Sequence, residues 1–211
     1  MPPPIFYPRL AVYLAEVTQE FEQISTNRQQ QLKEVSQYIR QKLETDQPVQ
    51  VIVICTHNSR RSHLGQIWLQ IAAAYYHLSK FTSFSGGTES TALHPNVVTA
   101  LQAAGIEISR QTEVKNPLYQ CRYSDHFPAI EAFSKVYAHA SNPTQNFAAL
   151  MVCTQADEGC PVVIGAEARF SLPYQDPKAY DNTPQQSKQY NERCRQIARE
   201  MFFVMSQAVE A

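Results

Sequence analysis

Glycine is scarce in this chain of 211 residues, at 6 against 13 prolines. That balance excludes a glycine-rich low-complexity segment and implies stiff, defined connections. Neither sign of charge is in excess, because Lys and Arg number 18, Asp and Glu 19, and the net charge is −1. Without a basic field the chain is not built to hold nucleic acid or an anionic membrane, and any anion it binds must be met locally. Long apolar runs are missing too: VIVIC at 51–55 and LQIAAAYY at 69–76 are far too short to span a bilayer. Nothing reads as a signal peptide, and the five cysteines are too few and odd in number for a secreted disulfide scaffold. Reduced thiols in the cytoplasm are expected. What is present is 44% hydrophobic residues, enough for one ordinary domain with an appendage.

The opening Met-Pro-Pro-Pro-Ile-Phe-Tyr-Pro cannot be helical through its prolines and reads as an extended arm. Leu10, Leu14, Val17, Phe21 and Ile24 then recur at helical steps, and a Thr26/Gln29 capping box introduces a second stripe at Leu32, Val35, Ile39 and Leu43. Residues 1–48 are thus expected to form an arm and helical hairpin that pack on a main domain, 49–211, in preference to serving as a lid or a dimer surface.

From Val49 the pattern becomes a continuous β-branched run, the mark of a strand buried on both faces of a parallel sheet. A helix follows with Leu64, Ile67, Trp68, Ile71, Ala72 and Tyr75 on its apolar face, then a strand at 81–84 leading to Gly86-Gly87, which completes a βαβ unit. Further helices are expected from His94-Pro95 to Gly105, with Val98, Leu101 and Ala104 inward, and over 128–137, with Ile130, Phe133 and Val136. Residues 114–124 read as either loop or hairpin. FAALMV at 147–152 is a buried strand, and another strand ends near Tyr174. The last helix takes Thr183 as N-cap, Pro184 at N1 and Gln186 at N3, with Tyr190, Cys194, Ile197, Met201, Val204 and Ala208 as its stripe. Alternating strands and helices predict an α/β fold with a doubly wound, mainly parallel sheet whose ligands gather at the carboxyl ends of the strands.

At such an end lies Cys55-Thr56-His57-Asn58-Ser59-Arg60-Arg61-Ser62. Consecutive backbone amides over Thr56, His57, Asn58, Ser59, Arg60 and Arg61, wrapped before a helix start, make a nest for a tetrahedral oxyanion. Cys55 lies at the bottom of that nest, where positive surroundings favour thiolate over thiol. Arg61 sits on the rim, where its planar guanidinium can clamp two oxygens. Ser62 is placed to donate to the sulfur, and Asn58 to brace the loop through its backbone. A nucleotide-type Gly-x-x-x-x-Gly-Lys-Ser loop is absent.

CTHNSRRS after a hydrophobic strand, FSGGTES with the helix HPNVVTALQAAGIEIS, and a late Asp176-Pro177 together resemble the low-molecular-weight phosphotyrosine phosphatases and the thioredoxin-coupled arsenate reductases that share their fold. The resemblance covers about residues 50–210 and leaves the N-terminal hairpin outside. It implies Cys55 as nucleophile, Arg61 as oxyanion clamp, Ser62 as thiolate partner, Asn58 as loop brace and Asp176 as general acid. His57 departs from the family, which commonly has glycine there; it implies either a tolerated positive φ or a changed loop shape.

MVCTQADEGCP resembles the redox segment of the arsenate reductases, which carry a cysteine pair at the same separation as Cys153 and Cys160. It implies arsenate reduction through a Cys55/Cys153/Cys160 thiol–disulfide relay served by a thioredoxin-like reductant. The alternative from the same loop is a phosphatase acting on phosphotyrosine or aryl phosphates, with Asp176 as acid and Tyr180 alone available to grip a ring. A third reading is an idle oxyanion-binding regulator whose loop His57 distorts. The alternative reading of Cys153 and Cys160 is a small buried hydrophobe and an inert loop thiol. No metal pattern or cofactor motif is present: the Cys pair lacks a two-residue spacing, and His63, His77, His126 and His139 read as surface or packing residues. Cys121 has no obvious partner, while Cys194 and Trp68 fall on buried stripes.

Overall fold

The computed structural model describes residues 6–159 and 162–210. Four parallel strands form the central sheet: β1 (Val49–Cys55), β2 (Phe81–Gly87), and, after an excursion, β6 (Phe147–Met151) and β7 (Ala166–Ser171), in the order β2-β1-β6-β7. β1 is central because nearly every residue of its β-branched run is buried, so both of its faces can be covered. The excursion is a second, antiparallel sheet of β3 (Glu107–Arg110), β4 (Tyr119–Arg122) and β5 (Ile130–Ala132). Residues 114–124 therefore contain the middle strand of a small meander.

Helices flank the parallel sheet: α1 (Pro8–Val17), α2 (Thr26–Glu44), α3 (Arg61–Tyr75), α4 (Pro95–Ala103), the short α5 (Thr154–Gly159) and α6 (Gln186–Val209). α6 packs against α2, α3 and α4, and its stripe from Tyr190 to Ala208 is buried as its spacing requires. Leu10, Leu14 and Val17 of α1 and Leu32, Val35 and Ile39 of α2 join the same apolar cluster as β1, α3 and α6. Each such side chain contributes about 1.5–3 kcal/mol of transfer free energy. The N-terminal helices are therefore an integral wall of the core.

Four expectations fail locally. The first stripe is not one helix: α1 stops at Val17, where the Thr18 hydroxyl donates back to the carbonyls of Leu14 and Ala15. Phe21 then begins a 3₁₀ turn, Phe21–Gln23, and docks edge-on against Phe203. Ser25, not Thr26, caps α2 by accepting from the Arg28 amide, while Gln29 donates to the carbonyls of Phe21 and Ile24. No helix occupies 128–137; Ile130 and Ala132 point inward with Glu131 outward, a two-residue period that pairs with β4. Thr183 is not the N-cap of α6: its hydroxyl donates to the Tyr180 carbonyl and accepts the Gln185 amide, and the helix begins only at Gln186, behind Gln185. In α4 the buried positions are Val97, Ala100 and Leu101, with Val98 half-buried at the flank. The Pro-rich start through Ile5 lies outside the described residues. Among the described residues no helix is long and apolar enough to cross a membrane.

Candidate active site

β1 ends at Cys55 and α3 begins at Arg61, so the polar loop between them sits at the carboxyl edge of the sheet. The neighbouring strand makes room for it: a Cβ on Gly87 would lie 2.6 Å from the Thr56 carbonyl oxygen and 2.7 Å from the Asn58 nitrogen. Only glycine allows that approach. The backbone amides from Thr56 to Arg61 donate to no protein acceptor among the described residues. A run of unpaired donors before a helix start is the arrangement that suits an anion nest, with the helix dipole behind it.

Cys55 is buried to 4% exposure, and its Sγ lies 3.1 Å from the Ser62 hydroxyl. Asn58 Nδ2 donates to that hydroxyl at 2.8 Å, so Ser62 has its own proton free for the sulfur. Asn58 Oδ1 in turn accepts the Lys135 backbone N–H at 2.8 Å. The brace thus runs through side-chain bonds to Ser62 and to a distant segment, rather than to the loop's own backbone as expected. Asn58, not His57, takes the left-handed conformation, with φ 42°, which its short amide tolerates. His57 keeps an ordinary φ, its side chain reaches outward to 3.7 Å from Glu89, and its carbonyl accepts from the Thr91 and Ser134 hydroxyls.

His63 is the residue that sequence reasoning undervalued. It is fully buried beneath the loop, with Nε2 2.9 Å from the Asn58 carbonyl oxygen and Nδ1 3.3 Å from the Ser85 hydroxyl. Burial, reinforced by the positive Lys135, pushes its pKa down to about 3. A neutral imidazole therefore holds the loop from below. Its place on the apolar side of α3 was the signal that could have found it.

The two arginines divide. Arg61 donates from Nη1 to the Tyr174 carbonyl at 2.9 Å and from Nη2 to Asp176 Oδ2 at 2.6 Å, while its buried Nε–H has no acceptor among the described residues. Asp176 is fixed at its other oxygen by the Lys178 amide, capping a 3₁₀ turn over Pro177–Tyr180. The structure thus brings Arg61 and Asp176 together beside the nest. Arg60 turns its side chain away from the oxyanion position: Nε donates to the Tyr190 hydroxyl at 2.7 Å and Nη2 to Asp181 at 2.8 Å. Tyr190 also donates to Asp181, and His94 stacks on the Tyr190 ring. Against the cost of burial, the Tyr190 hydroxyl and the Arg60 charge hold the Asp181 carboxyl below its ordinary range. Only the Arg60 amide can serve the nest; its guanidinium ties the loop to α6. Ser59 contributes its amide and accepts the His94 N–H at its carbonyl.

Cys153 follows β6, the strand beside β1, and is buried. Its Sγ lies 3.3 Å from the hydroxyl of Thr56, the residue next to Cys55, and accepts the Ala156 amide at 3.4 Å. Cys160 lies outside the described residues. Cys121 and Cys194 are buried elsewhere, and desolvation pushes both thiols up to about 12. Among the described residues no group of His, Cys, Asp and Glu could hold a metal ion.

No family model matches the chain. Solved structures align over most of it at low identity. A low-molecular-weight protein tyrosine phosphatase from T. tengcongensis gives a TM-score of 0.52 at 13% identity, covering 75% of this chain and 98% of that one. The low-molecular-weight phosphotyrosine phosphatase of Vibrio cholerae O395 gives 0.51 at 14%, covering 75% and 95%. This chain has the low-molecular-weight phosphotyrosine phosphatase fold. Among curated proteins, the arsenate reductase of Bacillus licheniformis is 40% identical over 63 residues, 29% of this chain. The chain spans about 42% of that relative's length. In this phosphatase-type fold the strand–loop–helix of 49–75 is the element that carries the nest and its thiol.

Proposed function

We propose that the protein reduces arsenate to arsenite by thiol chemistry at Cys55. The observation that carries this reading is the second thiol: Cys153 sits against Thr56 at the edge of the nest, where a phosphatase needs only one cysteine. The segment identical at 40% to an arsenate reductase supports it. Arsenate enters the nest and takes the Arg61 Nε–H together with the loop amides. The Cys55 thiolate attacks arsenic, and one arsenate oxygen leaves as water after protonation. The Cys153 thiolate then attacks Cys55 Sγ, the sulfur–arsenic bond breaks with its electron pair passing to arsenic, and arsenite departs. Arsenic gains two electrons and a Cys55–Cys153 disulfide forms. Cys160 next attacks Cys153, regenerating the Cys55 thiol, and the Cys153–Cys160 disulfide is reduced by a thioredoxin-like dithiol, which is itself oxidised.

A specific observation favours a second reading, hydrolysis of aryl phosphates. Asp176 is held against Arg61, where a carboxylic acid can protonate a leaving phenolate and then activate water. The test is arsenite production with thioredoxin and its reductase, run beside an aryl phosphate. Cys160→Ser is expected to spare ester hydrolysis and stop multiple-turnover arsenate reduction. Sustained arsenate turnover by that variant contradicts the relay.

A further inference from the structure

A cavity lies away from the thiol loop. It encloses about 770 Å³ between α3, the β2 edge and the 123–135 segment, and none of residues 55–62, Cys153 or Asp176 lines it. That volume suits a small organic molecule. Its wall is largely apolar and aromatic, with Phe84, Phe127, Ile130 and Phe133 prominent.

Two of its polar lining residues carry buried groups without a hydrogen-bond partner among the described residues. Lys135 is only 5% exposed, and its ammonium lies 4.4 Å above the Phe133 ring with no hydrogen bond or ion pair among the described residues. Burial pushes its pKa down to about 8, opposed by the Glu131 carboxylate at the cavity rim. Gln66, also 5% exposed, spends its Nε2 on the Glu131 carbonyl and leaves Oε1 buried with no donor. A buried ammonium with no hydrogen bond or close ion pair and a buried acceptor without a donor each carry a desolvation cost. A ligand that supplies both, on an apolar body, removes both costs at once.

We propose that this cavity is a binding site for an aromatic organic anion. The rings lie against Phe84, Phe127 and Phe133; a carboxylate or sulfonate meets Lys135 Nζ; an N–H or O–H of the ligand donates to Gln66 Oε1. The site is separate from the oxyanion nest, to which it connects through the Lys135 backbone N–H on Asn58.

A suitable probe is 8-anilinonaphthalene-1-sulfonate, which carries a sulfonate, an N–H and two ring systems, titrated by fluorescence into the full chain. The expected result is one saturable equivalent, unaffected by phosphate in excess. Binding weakens about tenfold in Lys135→Met, the loss of one charge-assisted contact. The uncharged analogue N-phenyl-1-naphthylamine binds the wild type about tenfold more weakly than the sulfonate does. Should Lys135→Met lose its near-ultraviolet dichroism, Ala129→Trp, which fills the cavity from a half-buried position, carries the same test and abolishes the site. Non-saturable binding, displacement by phosphate, equal affinity for the uncharged analogue, or indifference to both substitutions overturns the proposal.

Discussion

Cys55 and Cys121 are both buried cysteines, one at the carboxyl end of the parallel sheet and the other in the middle strand of the antiparallel meander. They differ in what surrounds the sulfur. Around Cys121 burial acts alone and holds the thiol protonated, at about 12. Around Cys55 there are a hydroxyl at 3.1 Å, a loop of unpaired amides and a helix start. The two buried sulfurs therefore differ in their surroundings, one facing hydrogen-bond donors and the other hydrocarbon. Cys194 belongs with Cys121, since burial pushes its thiol up to about 12 despite hydrogen bonds with the Trp68 indole and the Tyr13 hydroxyl.

Substitutions can break this comparison. The largest expected effect is Cys55→Ser, which lowers steady-state turnover of arsenate and of aryl phosphate by at least about a thousandfold. Arg61→Lys keeps the charge but loses the planar fork; kcat/KM falls a few hundredfold, roughly 3 kcal/mol of transition-state binding. Third comes acid sensitivity. His63 titrates at about 3 in the fold, below its ordinary 6.5, so the unfolded chain takes up the extra proton between those values. The stability this group confers is intact above about pH 6.5 and is lost as pH falls toward 3, about 3 kcal/mol by pH 4.5. Urea midpoints at pH 7 and 4.5 measure it, and His63→Gln flattens the difference.

A smaller loss is expected of Asn58→Ala, about tenfold in kcat, because Ser62 loses its donor and the left-handed turn loses the residue that tolerates it. Asn58→Gly, which keeps the φ, recovers little if the hydrogen bonds matter more than the turn. The smallest effect belongs to the other side of the comparison. Cys121→Ala and Cys194→Ala leave kcat/KM within about twofold, and their cost appears only as roughly 1–2 kcal/mol of stability. An activity loss in either one equal to that of Cys55→Ser would erase the distinction.

The strand, loop and helix of the site were legible because each has a strong local pattern: a β-branched run, eight polar or small residues, then an amphipathic helix. Cys153 was legible for the same reason, standing at the end of FAALMV. The β5 segment was not, since Ile130, Phe133 and Val136 fall by chance at helical spacing while the strand itself is three residues long. The anchoring of the Arg60 side chain was not legible, because its partners, Asp181 and Tyr190, are more than a hundred positions distant. His63 carries no motif; its role exists only because α3 turns one polar ring beneath the loop.

A single-turnover measurement tests the thiol relay most directly. Fully reduced protein is mixed with arsenate in the absence of any external reductant, arsenite is quantified, and cysteine oxidation is mapped by peptide mass. Cys153→Ser, run in parallel, is expected to give no arsenite. The wild type is expected to give about one arsenite per chain, with Cys153 and Cys160 oxidised and Cys55, Cys121 and Cys194 still free thiols, whereas Cys160→Ser is expected to stop with Cys55 and Cys153 oxidised. Wild-type protein that yields no arsenite, or Cys160→Ser protein whose oxidised pair excludes Cys55, contradicts the relay.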